Sequence, residues 1–307
     1  MTLQQLKYIL AIVDCGSISE AAKQLYISQP SLSNAVKELE EEFGIEIFLR
    51  SSKGIALTNE GMEFLSYARQ VVEQAELMEQ RYLNKKPSKK LCSISTQHYA
   101  FAVQAFVALL KTLNENEYEC TLRETRTHEI IEDVRNLRSE IGILYLSEFN
   151  RKVITKLLRD NGLKFYPLFT AKPHVFIGVR HPLADRDMLE MEDLDEYPCL
   201  VFEQGEYNSF YFAEEILSTR SYRKKISVSD RATLFNLLIG LNGYTISSGV
   251  LNQDVYGGLI RSVRLRTDEE MVIGYIVNPK TVLSHLAQRY VAKLKDVVAR
   301  AGYELMS

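Results

Sequence analysis

Gly16 to Thr58 reads GSISEAAKQLYISQPSLSNAVKELEEEFGIEIFLRSSKGIALT, and its punctuation divides it into two short helices and a hairpin. Ser17 and Glu20 have the S-x-x-E spacing of a capping box, in which a hydroxyl and a carboxylate each satisfy a free backbone N–H at a helix start. Ala21, Ala22 and Leu25 then form a narrow apolar face that lets a neighbouring helix come close, and Tyr26 to Ser28 interrupt it. Ser28 caps a second helix, with Pro30 in its first turn where a missing N–H costs little. Leu32, Val36, Leu39 and Phe43 carry the inward stripe until Gly44 stops it. Phe48-Leu49-Arg50 and Gly54-Ile55-Ala56-Leu57 are two short strand-like runs around a turn at Ser52-Lys53-Gly54. The expected product is a helix-turn-helix with a hairpin wing. Gln29, Pro30, Ser31, Ser33, Asn34 and Lys37 lie on the outward side of the second helix, and Arg50 and Lys53 on the wing. Amides and hydroxyls at a helix N-terminus suit base edges and phosphates of a major groove, so these eight residues are the candidate DNA contacts.

Charge argues the other way. Residues 1–58 hold Lys7, Lys23, Lys37, Arg50 and Lys53 against Asp14, Glu20, Glu38, Glu40, Glu41, Glu42 and Glu46. A DNA reader usually carries a basic footprint. Here the acidic cluster sits at the far end of the second helix, and no carboxylate occurs between Pro30 and Val36 or between Phe48 and Thr58. The alternatives are a helical protein-interaction module, or a small-molecule binding protein, with no affinity for DNA.

From Thr58 a new helical pattern begins. Leu65, Ala68, Val72, Ala75, Met78 and Tyr82 recur at spacings of three and four, with no Gly or Pro from Met62 to Lys86. Such a helix, outside any compact core, is expected to bury its stripe against a second copy of itself. The polar, Pro-containing run Lys85 to Lys90 then reads as a hinge.

Beyond the hinge the period changes. Leu91–Ser95, Tyr118–Glu124 and Ile141–Leu146 read as strands and 99–113 and 128–139 as helices, a β-α-β-α-β order that implies a mainly parallel sheet. Further strands at 164–169, 175–179, 199–202, 225–228, 244–247, 259–265 and 271–277, with helices at 209–218, 231–239 and 284–301, supply a second α/β lobe. Ligands of such sheets sit at the carboxyl ends of strands, near helix N-termini. In the first lobe those turns are Thr96-Gln97-His98 and Thr125-Arg126-Thr127; in the second they are Phe202-Glu203-Gln204 and Ser247-Ser248-Gly249.

Composition bounds the rest. The 307 residues are 46% hydrophobic and 25% charged with net charge −3, ordinary for a globular chain of two or three folding units. The start lacks a basic region followed by an apolar one, and no run approaches a membrane span, so the expected location is cytoplasmic. Cys15, Cys92, Cys120 and Cys199 are widely spaced, and the five histidines lack ligand spacing, so neither a metal site nor a cofactor is expected. No G-x-G-x-x-G follows the first strand, and no nucleophile elbow or P-loop occurs, so the chain does not read as an enzyme.

The helix at Leu3 to Asp14, then GSISEAAKQLYISQPSLSNAVKELEEEFG, then FLRSSKGIALTNEG, resembles the N-terminal domain of LysR-type transcriptional regulators. The likeness runs through the whole chain. It departs at Asn34, where many members carry Arg. It implies a winged helix-turn-helix at 1–58, a dimerisation helix and hinge at 59–90, and an α/β effector-binding domain at 91–307. The two lobes of that domain would be roughly 91–163 with 266–307, and 164–265, like those of periplasmic binding proteins, with the chain crossing twice between them. It further implies transcription regulation at a double-stranded operator with an interrupted palindrome, a homodimer through 59–86 and a homotetramer. The effector, anionic or zwitterionic, would bind between the lobes at Thr96, Gln97, His98, Arg126, Thr127, Phe202, Glu203, Gln204 and Ser247. The run from Ser95 to Ala100 is also similar to the ligand-binding turn of the branch that governs sulfur metabolism.

Overall fold

The computed structural model describes residues 1–51, 54–83, 90–113, 118–207, 209–251, 256 and 258–306. The chain forms two compact units, Met1–Ser88 and Lys89–Ser307. The first holds α1 (Leu3–Cys15), α2 (Ile18–Gln24), α3 (Gln29–Phe43), β1 (Phe48–Ser51), β2 (Gly54–Leu57) and α4 (Asn59–Leu83).

Local signals set most of these ends. Gly16 and Gly44 close α1 and α3 in the left-handed conformation, and the hydroxyls of Ser17 and Ser28 accept the N–H of Glu20 and Ser31. Only half of the expected box at Ser17 forms, because Glu20 turns away to pair with Lys23 at 3.2 Å. A full box caps α1 instead, between Thr2 and Gln5. The core joins Leu6, Ile9 and Ile12 of α1 to Leu32, Val36 and Leu39 of α3. Phe43, expected to continue that stripe, is half-exposed and meets Phe64 edge-on, because α3 ends there.

One of the acidic residues is structural. Glu40 accepts the backbone N–H of Ile47 at 2.8 Å and of Phe48 at 3.2 Å, which anchors the base of the wing to α3. Gly61 completes the joint, since a Cβ there would stand 2.2 Å from the Ile47 carbonyl oxygen. Glu40→Ala is expected to cost about 1–3 kcal/mol by stranding two N–H groups, read as a lower urea midpoint for this unit. An unchanged midpoint would mean the wing needs no such anchor.

The stripe of α4 divides between two faces. Leu65, Ala68 and Val72 are buried against the helix-turn-helix core, so α4 belongs to the first unit rather than forming a separate segment. Tyr67, Val71, Met78 and Tyr82 remain exposed one step around the helix. A spacing of three and four fits both faces, and only the position of α1 separates them. Of the expected hinge at 85–90, residues 85–89 lie outside the described residues, and Lys90 opens the first strand of the second unit.

That unit continues with β3 (Lys90–Thr96), α5 (Ala100–Leu110), β4 (Tyr118–Glu124), α6 (Thr127–Arg135), β5 (Ile141–Leu146), α7 (Glu148–Asp160), β6 (Lys164–Ala171), β7 (His174–Gly178), β8 (Met188–Leu189), β9 (Cys199–Phe202), β10 (Lys225–Val228), α8 (Arg231–Gly240), β11 (Tyr244–Ser247), β12 (Ile260–Leu265), β13 (Met271–Val277) and α9 (His285–Arg300). One sheet has the order β4-β3-β5-β13-β6, with β13 alone antiparallel to its neighbours; the other has β10-β9-β11-β7-β12-β8, with β7 alone reversed. The chain crosses between lobes after β6 and again after β12. Lys164–Ala171, expected in the second lobe, therefore belongs to the first, where it pairs with β13 from Lys164 to Ala171. Alternation alone does not say which sheet a strand joins.

The helix expected at 209–218 is absent. Phe210–Phe212 make a single 3-10 turn, Ala213 is extended, and the carbonyls of Phe212 and Ala213 accept from Thr127 and Tyr145 instead of closing helical bonds.

Candidate functional site

On the first unit, the outward surface of α3 presents Gln29, Pro30, Ser31, Asn34 and Lys37 to solvent, while Ser33 is half-buried. Lys37 is exposed and pairs with Glu41 at 3.4 Å one turn on. Arg50 lies in β1 opposite Ile55, and Lys53 falls outside the described residues. Tyr26, absent from the candidates drawn from sequence, is 96% exposed in the turn just before α3 and holds a φ of 55°. An aromatic residue at a helix break was the available signal. The acidic end of α3 is partly engaged by the protein's own groups, Glu40 by the base of the wing and Glu41 by Lys37 on the surface.

In the second unit, β3 lies between β4 and β5, and β9 between β10 and β11. Their carboxyl ends are the crevices where doubly wound sheets hold ligands. The end of β3 is fixed by Asp133, a buried carboxylate on α6 that accepts from Ser95 at 2.7 Å and from Arg123 at 2.8 Å.

The two lobes are joined at these crevices. The Thr127 N–H, an orphan donor at the start of α6, is satisfied by the side-chain oxygen of Gln204 at 3.1 Å, and the Thr127 hydroxyl donates to the Phe212 carbonyl at 2.8 Å. Gln97 donates to Thr127 at 2.6 Å and accepts from the Tyr145 N–H at 3.1 Å. Arg126 pairs with Glu203, and Arg231 with Glu124 at 3.2 Å. The His98 ring stacks on Phe202 with centroids 3.8 Å apart and bonds the Glu214 carboxylate through Nδ1 at 3.0 Å. Burial is the largest single influence and works to lower the His98 pKa, but the Glu214 charge and hydrogen bond, with the Glu124 charge, together outweigh it and the net shift is upward.

Of the residues chosen from sequence, His98, Phe202 and Ser247 line one cavity between the lobes, and Arg126 and Gln204 line another. Gln97, Thr127 and Gln204 form a hydrogen-bonded chain behind the first, and Arg126 and Glu203 make an ion pair outside it. Thr96 does not reach it: its buried hydroxyl donates to the Gln97 carbonyl at 2.7 Å. Glu214, Glu215, Arg231, Thr245 and Phe176 also line the first cavity and were missed. All five lie in the second lobe, on elements whose order in the sheet local pattern does not disclose.

Cys92 and Cys120 face one another across β3 and β4. Burial holds the thiols of Cys92 and Cys199 up to about 12, so both stay protonated and poorly nucleophilic. Among the described residues no group of three or more His, Cys, Asp or Glu is placed to hold a metal, and no helix is long and apolar enough to cross a membrane.

Comparison with known proteins follows the same division. Residues 3–62 match the family described as bacterial regulatory helix-turn-helix protein, lysR family, and residues 96–299 match the LysR substrate binding domain. The HTH-type transcriptional regulator CysL of Bacillus subtilis (strain 168) is 27% identical over 258 residues, 81% of this chain and 82% of that protein. The uncharacterized HTH-type transcriptional regulator YvbU of the same organism is 27% identical over 214 residues, 68% of this chain and 69% of that one. Full-length CbnR, solved in complex with its target DNA, superposes with a TM-score of 0.53 at 19% identity, covering 97% of this chain and all (100%) of that one. An OxyR mutant of Corynebacterium glutamicum superposes at 0.51, also at 19% identity, covering 98% of this chain and 92% of that one. At such identities the structural likeness bears on fold. The family matches reach across both units, and the chain belongs to the LysR family: a DNA-binding transcriptional regulator that couples a helix-turn-helix domain to an effector-binding domain.

Proposed function

We propose that the protein acts in the cytoplasm as a homodimer, assembled further into a tetramer, that reads an interrupted palindrome and responds to a small anionic or zwitterionic metabolite between its lobes. The observation that carries the effector assignment is the opposition of two sheet switch points, bridged by hydrogen bonds from His98 to Glu214 and from Thr127 to Gln204. The DNA contacts proposed are Gln29, Pro30, Ser31, Asn34 and Lys37 of α3, with half-buried Ser33 behind them, and Arg50 and Lys53 of the wing. The effector contacts proposed are His98, Phe202, Ser247 and Arg231, all of which line the same cavity. The functional divisions proposed are the helix-turn-helix with its wing, α4 as the dimer helix, and the two-lobed domain. A metabolite that wedges between the lobes would change their angle and so the spacing of the two readers.

Binding to operator DNA selected from a random library, measured by fluorescence anisotropy over a range of salt, tests the first half. Gln29→Ala is expected to weaken specific binding by about 1–3 kcal/mol if it reads a base edge. An equal loss on random DNA would move Gln29 to the phosphate backbone. Absence of salt-dependent affinity for any DNA would defeat the assignment.

A further inference from the structure

We propose that Glu214 is a tethered stand-in for the effector, its carboxylate filling an anion subsite that a carboxylate-bearing metabolite must empty in order to bind. The proposal rests on the cleft being the effector site, and narrows the class of ligand.

Three donors converge on this one carboxylate. The His98 backbone N–H, just ahead of α5 in the first lobe, donates to Oε2 at 2.8 Å. His98 Nδ1 stands 3.0 Å from both oxygens, and Gln204 Nε2 donates to Oε1 at 3.3 Å. The side chains of His98 and Glu214 are 4% and 5% exposed, so the pair is withdrawn from water. An ionised carboxylate is buried only where such donors replace its hydration. The site is therefore built for a carboxylate, and the protein's own chain supplies one.

The space beside the Glu214 carboxylate is too small for a metabolite. The cavity beside Glu214 has a volume of about 20 Å³, room for roughly one water, whereas metabolite pockets run to hundreds of Å³. Binding on these donors therefore requires something to leave. Glu214 is well placed to do so, because the described residues from Glu203 to Lys224 form short 3-10 turns and no strand or α-helix. It can withdraw without breaking a sheet. Arg231, which lines the same cavity, keeps one nitrogen, Nη1, without a hydrogen-bond partner among the described residues, although the residue is mostly buried. A ligand with a second acceptor group could engage it, so a short dicarboxylate is a suitable probe.

A tethered competitor reduces apparent affinity by the fraction of time it vacates the site, and flexible tethers give effective concentrations on the order of millimolar. Titration calorimetry of the full-length protein with succinate, against chloride at equal ionic strength, reads this directly. Glu214→Ala is expected to bind succinate at least about tenfold more tightly than the unaltered protein, and His98→Ala in the same background to lose that gain. A Glu214→Ala protein with native circular dichroism and an unchanged Kd overturns the proposal and leaves Glu214 as a clasp between lobes. If Glu214→Ala does not fold, Glu214→Gln carries the test: it keeps the shape and removes the competing charge, so a tighter Kd supports displacement and an equal Kd refutes it. Operator affinity measured on the same preparations separates the two ideas. Loss of DNA binding would strike the regulatory role and leave the succinate result standing.

Discussion

A full-length protein carrying Val71→Glu and Met78→Glu is expected to sediment as a monomer and to lose at least about 100-fold in affinity for its operator. Phe64, Tyr67, Val71, Ala75, Met78 and Tyr82 follow one another at steps of three and four along α4, a helix of 25 residues and about 37 Å. Tyr67 is 62% exposed, Met78 59% and Tyr82 72%, a run of large apolar side chains that a lone chain would leave in water. Leu65, Ala68 and Val72, which hold α4 to its own domain, lie on a different face and are untouched by the two substitutions. The helix-turn-helix should therefore stay folded, which circular dichroism would verify. The loss on DNA is expected to be large because the segment 1–58 is net acidic, and the contacts proposed for it are a few amides, hydroxyls and cations. Joining two such readers raises their combined affinity by about two to four orders of magnitude without new contacts. Sedimentation as a dimer would show that another surface pairs the chains. Monomers with undiminished operator affinity would show that pairing does not matter to binding.

Between about pH 4.5 and pH 8 the effector-binding domain is expected to lose stability as pH rises, and Glu215→Gln is expected to remove much of that slope. Glu215 is buried, and burial, reinforced by the charge of neighbouring Glu214, lifts its pKa from 4.5 to about 8. The Phe202 N–H, which donates to Oε1 at 2.9 Å, and Lys225 both pull the other way and are outweighed. In the unfolded chain Glu215 releases its proton near 4.5, while in the folded domain it keeps it to about 8. The folded state thus binds more protons across that window. Its stabilising contribution is complete below pH 4.5 and is lost as pH climbs through 8. Glutamine keeps the acceptor for Phe202 and cannot ionise. The slope left in the variant is a balance, because His98 is shifted upward and loses its contribution on the alkaline side, while burial lowers the pKa of His174 and His181, which act in the opposite direction. Urea unfolding of both proteins at pH 5.5, 7 and 8.5 reads the difference. A gap between them that stays constant with pH would mean that Glu215 is already ionised in the folded protein.

Both effects depend on features that differ in how far the sequence discloses them. The DNA reader was legible because its signals are local. A cap at Ser28, a proline two residues later and a stop at Gly44 act on backbone groups within one turn, and the stripe of Leu32, Val36 and Leu39 needs only the helical period to be read. The strands and their alternation with helices were legible for the same reason, and the resemblance of the whole chain supplied the two-lobed arrangement. The misreadings fall where a local rule had two solutions. Glu20 chose Lys23 over the helix start, Lys164–Ala171 joined the other sheet, and the aromatic run near Phe210 gave its carbonyls to the first lobe.

The sequence by itself determined that two helices and a hairpin precede a long helix and a run of alternating strands and helices, because capping, periodicity and alternation are settled between residues a few positions apart. Only the tertiary structure decided which face of α4 is left uncovered and what fills the cleft. Glu214 and His98 stand 116 positions apart, and no spacing rule connects them. Their meeting depends on sheet order and on the two crossings between lobes, which bring the carboxyl ends of β3 and β9 together and seat a carboxylate of the second lobe on donors of the first.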